Sequence, residues 1–105
     1  MTNIIFEGKT YTLTNEAEPT SRHLPSNYTN YNDAVEGELY DFETSAEAID
    51  ENGSECIVYW IFENEKSENG KQLDEFDYDD ENNIDRVVYV EYCDWHIKGG
   101  NRDGI

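Results

Sequence analysis

The sequence predicts a small antiparallel sheet of four to five strands with long acidic loops, mainly β or α+β in class. Three observations carry that expectation. In "YDFETSAEAID", Tyr40, Phe42, Thr44, Ala46 and Ala48 alternate with Asp41, Glu43, Ser45 and Glu47, the period-two signature of a half-buried strand. The runs "CIVYWIF" (56–62) and "RVVYVEY" (86–92) are short, β-branched and aromatic. No apolar stripe at helical spacing extends beyond two turns.

Taken in order, Ile4 to Phe6 and Tyr11 to Leu13 flank Glu7-Gly8-Lys9, which reads as a hairpin with glycine in its turn. Residues 15–33 form a long loop with room for one helical turn, since Pro19 and Pro25 interrupt regular structure. The alternating strand follows. Asp50-Glu51-Asn52-Gly53 then supplies turn residues that tolerate positive φ, and 56–62 returns as a strand apolar enough for burial on both faces. Residues 63–83 are dense in carboxylates, with only Lys66 and Lys71 to offset them. Self-repulsion should keep this loop extended, with Leu73, Phe76 and Tyr78 as anchors onto the sheet. The tail 97–105, rich in glycine, is expected to fray.

The 105 residues suit a single domain, 1–105, with one modest core. Lys and Arg total 7 against 25 Asp and Glu, a formal charge of -18. Such a charge favours disorder, but an aromatic content of 13% indicates that the chain packs. Neither a membrane-spanning run nor a signal peptide is evident, so a cytoplasmic location is expected. A surface this negative is repelled by nucleic acid and by anionic membranes, and is drawn to basic protein grooves. The expected partner is therefore a basic, nucleic-acid-binding protein.

The acids do not fit calcium or catalysis. From Asp77, "DYDDENNIDRVV" places acids at loop positions 1, 3 and 5, but Asn82 replaces the glycine of an EF-hand and Val88 its closing glutamate. A glycosidase pair needs a walled cleft that separates two carboxyl pKa values, and these acids lie on loops and a solvent face. With no nucleophile or phosphate-binding motif either, the chain is not expected to be an enzyme. Geometry suggests another use: carboxylates two residues apart on a strand are about 6.7 Å apart, close to the spacing of phosphates along a nucleic-acid strand. Asp41, Glu43 and Glu47, with Asp74, Glu75, Asp77, Asp79, Asp80 and Glu81 of the acidic loop, are the candidate partner-binding residues. A basic groove would meet them as fixed decoys for phosphate.

In size, acidity and the pairing of "YDFETSAEAIDENGSECIVYW" with an acid-rich loop, the chain resembles small inhibitors encoded by phages and mobile elements, of the anti-CRISPR and anti-restriction kind. The resemblance is one of type over the whole chain, without a fixed motif. It implies obstruction of a CRISPR effector or restriction nuclease inside a bacterial cell, with no chemistry of its own.

Cysteine and histidine offer a second reading. Cys93-x-x-His96, with Cys56 and His23, supplies the four ligands of a Cys2His2 zinc site, a structural metal useful to so small a core. In a reducing compartment the alternative is two buried thiols and two surface histidines. A zinc-stapled protein-binding adaptor and an accessory domain thus stay open beside the inhibitor, and so do a monomer and a homodimer paired through a sheet edge.

Overall fold

In the computed structural model, which describes residues 2–90, the chain forms six strands: β1 (Asn3–Phe6), β2 (Lys9–Leu13), β3 (Glu18–Pro19), β4 (Leu39–Ile49), β5 (Glu55–Glu65) and β6 (Ile84–Tyr89). They make one antiparallel sheet in the order β1-β2-β4-β5-β6, with β3 also paired to β4. Among the described residues helix is limited to three 3-10 turns, at Tyr31–Asp33, Leu73–Glu75 and Glu81–Asn83. The protein is therefore mainly β, with one strand more than expected. That strand is the two-residue β3, which holds Pro19 at the sheet's edge, where a missing N–H costs nothing. No helix of the described residues is long and apolar enough to cross a membrane.

The turns follow from residue type. Glu7 and Gly8 both take positive φ, 53° and 81°, the two-residue geometry that matches the twist of the strands it joins. Between β4 and β5, Asp50 Oδ1 accepts the N–H groups of Asn52 and Ser54, each at 2.9 Å, and Gly53 completes the turn at φ 82°. β4 and β5 then pair without a break from Ile49↔Glu55 to Leu39↔Glu65. The acidic segment consequently starts later than its composition suggests, because residues 63–65 still pair with β4.

Alternation assigns the faces as expected. Ala46, Ala48, Cys56, Val58, Trp60 and Phe62 share one buried side with Ile4, Tyr11, Leu13 and Ile84. On the other side Ile57, Tyr59 and Ile61 are only half-buried, so "CIVYWIF" has one dry face rather than two. The backbone N–H of Glu7, in the β1–β2 turn, donates to Glu81 Oε2 at 2.8 Å, just ahead of β6. The two ends of the strand order therefore approach each other, and the sheet curls around its core.

Two segments without long strands close the structure. Phe76 and Tyr78, two residues apart, drop onto the core: Phe76 lies 4.8 Å from Phe62 and 5.3 Å from Phe42, and Tyr78 lies 5.1 Å from Trp60 between ring centroids. Trp60 Nε1 donates to the Tyr78 carbonyl at 3.0 Å, which satisfies a fully buried indole. Leu73, the third expected anchor, remains 39% exposed. At the far end, Asn30 clasps the buried Leu24 by accepting from its N–H at 2.7 Å and donating to its carbonyl at 3.0 Å. Lys66 Nζ donates to the Tyr31 and Ala34 carbonyls, both at 2.8 Å. The loop 15–33 is thus fastened at several points.

Two outcomes follow. Phe76→Ala should lower stability by roughly 2 kcal/mol in denaturant titration, below the 3–5 kcal/mol of a fully buried phenylalanine because Phe76 is half-buried, and should speed proteolysis of residues 66–83. Cys56 is 1% exposed, and burial, with the nearby Asp50 charge, pushes its thiol up. In a Cys93→Ser background, Cys56 should react with a thiol reagent at least roughly a hundredfold more slowly when native than in denaturant.

Candidate functional site

The acids of β4 do not form an exposed row. Glu43 is 3% exposed and lies beneath two arginines. Arg22 donates to it through Nε, at 3.1 Å to each oxygen, and through Nη2 at 2.8 Å. Arg86 Nη1 donates at 3.0 Å and Thr20 Oγ1 at 2.7 Å. Burial alone would raise the Glu43 carboxyl; the hydrogen bonds from Arg22, Thr20 and Arg86 outweigh it and hold the group below the usual carboxylate range. Alternation placed Glu43 on the outer face correctly, but residues 20–22 and β6 cover it there, so it is corrected from partner contact to internal clasp. Asp41 is also engaged, since its Oδ2 accepts the Thr29 N–H at 3.0 Å. Glu47 alone of the three is exposed.

Residues 74–81 behave differently. Six carboxylates fall within these eight positions. Four accept a backbone N–H: Glu75 Oε2 from Gln72 at 3.0 Å, Asp77 Oδ1 from Asp79 at 3.0 Å, Asp80 Oδ1 from Asn82 at 2.9 Å, and Glu81 Oε2 from Glu7 at 2.8 Å. Such bonds fix a carboxylate without neutralising it. Phe76 and Tyr78 pack the intervening backbone against the sheet, so the segment forms an acidic ridge along it.

The basic residues add to the asymmetry. Among the described residues, Arg22 and Arg86 serve Glu43, and Arg86 also lies 3.9 Å from the Tyr59 ring centroid. Lys66 is held by carbonyls and by the Tyr31 ring, Lys9 sits over Tyr89, and Lys71 over Phe76. No described cation makes an ion pair with the ridge. Neither Arg22 nor Arg86 is marked by the alternation or the acid clusters from which the candidate residues are read. Scarcity was the available signal, since an arginine kept in so acidic a chain is apt to have a fixed partner.

The proposed zinc ligands do not converge where they can be followed. Cys56 lies in the core opposite Ala48, its Sγ 3.6 Å from that residue's carbonyl oxygen. His23 is exposed, next to Arg22 and 3.5 Å from the Asn30 amide. The segments that carry them meet β4 at Ala48 and at Glu43, five residues or roughly 17 Å apart along the strand. No group of three or more His, Cys, Asp or Glu among the described residues is placed to hold a metal. Cys93 and His96 lie outside the described residues.

Replacing Glu43 by Gln should cost about 1–2 kcal/mol at neutral pH, less than for a wholly buried pair because both arginines reach solvent. The folded carboxyl titrates below its unfolded value of about 4.3, so its contribution is complete above about pH 5 and disappears as pH falls through the lowered folded value. Stability curves of wild type and variant should therefore converge in acid. A gap constant from pH 7 to pH 3 would show that Glu43 is not held as a charged group. No family model, curated protein or solved structure matches the chain, which leaves its own residues as the guide to what it binds.

Proposed function

We propose that this protein is an inhibitor that occupies a basic nucleic-acid-binding surface and keeps target DNA out. The observation that carries the reading is the ridge at 74–81, where backbone N–H groups hold the Glu75, Asp77, Asp80 and Glu81 carboxylates in fixed positions. Carboxylates already held by the fold lose less side-chain freedom on binding than free ones would. The resemblance to phage and mobile-element inhibitors points to a CRISPR effector or restriction nuclease in the bacterial cytoplasm as the target. Occupancy alone blocks such an enzyme, so the reading needs no catalysis and no metal.

A gel shift with loaded nuclease and labelled target DNA tests it. Added protein should abolish the DNA complex, and raising salt from 50 to 200 mM should weaken inhibition by at least roughly tenfold. Neutralising the ridge with Asp77→Asn, Asp79→Asn, Asp80→Asn and Glu81→Gln keeps an acceptor oxygen at each position and should reduce inhibition by a similar factor. A stable ternary complex of nuclease, DNA and inhibitor, or salt-independent binding, would replace the decoy with an adaptor. Absence of any binding would leave an accessory domain.

A further inference from the structure

A groove of about 790 Å³ opens between the chain leaving β2 and the Leu73–Glu75 turn, beside the acidic ridge. Leu13, Ala17, Leu73 and Tyr78 are its more apolar lining residues, and three acidic residues, Glu16, Glu18 and Asp74, line it with them. No Lys or Arg of the described residues lines it. Its size lies within the range of clefts that hold a drug-sized ligand, which leaves room for a side chain together with part of the segment that carries it. The combination is selective: a purely apolar ligand would leave three carboxylates to be desolvated without partners, whereas a small cation would leave the apolar wall wet.

A lysine or arginine side chain meets both demands, because its methylene stem covers apolar surface while its head group seeks carboxylates. We propose that this groove receives such a side chain from an extended basic segment of a protein partner. The inference rests on the reading of the chain as a ligand for a basic protein and adds to it a specific anchor point. The ridge offers an array of carboxylates to many basic contacts at once; the groove adds one anchor, recognised by shape and charge together.

Fluorescence anisotropy with a labelled decapeptide of alternating arginine and glycine measures the anchor directly. Two triple variants remove the same charge: Glu16→Gln, Glu18→Gln, Asp74→Asn in the groove, and Glu36→Gln, Glu51→Gln, Glu68→Gln at exposed positions away from it. The groove triple should weaken peptide binding by roughly tenfold and the remote triple by no more than about twofold. Thr14→Trp narrows the groove without changing charge and should weaken binding by roughly fivefold or more. Melting temperatures establish that each variant is folded. Equal losses in the two triples, no effect of Thr14→Trp, or no peptide binding by wild type would each overturn the proposal. Nuclease competition run in parallel separates the two readings. Groove variants that exclude DNA as well as wild type would overturn the anchor alone. Groove-dependent peptide binding by a protein that fails to exclude DNA would overturn the inhibitor alone.

Discussion

Most of the described chain reaches its place by pairing with, or packing on, the β4–β5 ladder. Eleven residues on each strand pair without a break, giving a continuous two-stranded platform. One side of it, built from Ala46, Ala48, Val58, Trp60 and Phe62, receives the β1–β2 hairpin and the Phe76–Tyr78 anchors. The other side carries Glu43, and the two arginines above that carboxylate tie residues 20–22 and β6 to the platform. Remove the ladder and neither the acidic ridge nor the fastened loop has anything to lie against.

A net charge of -18 sets the terms on which this fold is stable. Repulsion among the carboxylates favours expansion, and only about one basic residue is present for every three or four acids. The few cations of the described residues are placed where each secures structure: Arg22 and Arg86 at Glu43, Lys66 on the Tyr31 and Ala34 carbonyls. Many of the acids are stabilised by backbone N–H groups instead, which preserve their charge. Both arrangements act in the same direction, since cations engaged by partners of their own do little to neutralise the ridge.

The strands were legible where local pattern dictates structure. Alternation in "YDFETSAEAID" gives both the strand and its faces, and Glu7-Gly8 and Asp50 to Gly53 mark the turns by backbone preference. What escaped depends on distant partners. The burial of Glu43 is set by Arg22, 21 residues before it, and by Arg86, 43 residues after it; alternation says which way a side chain points, not what covers it. β3 is too short for periodicity to register, and β5 runs through Glu63 to Glu65 because β4 pairs with it there, despite a composition suited to a loop. The ridge was half legible: its charge and two of its aromatic anchors stand in the sequence, but the N–H groups that fix its carboxylates belong partly to Glu7, far away in the chain.

The function proposed for residues 74–81 depends on their being an ordered array of charge in the free protein. Backbone ¹⁵N relaxation tests it without any partner. Order parameters for residues 74–81 should lie close to the rigid value of about 0.85 expected for β4 and β5, unchanged when salt is raised. Values below about 0.6 across the segment would mean that the backbone bearing the carboxylates is itself flexible, and would contradict a preorganised surface.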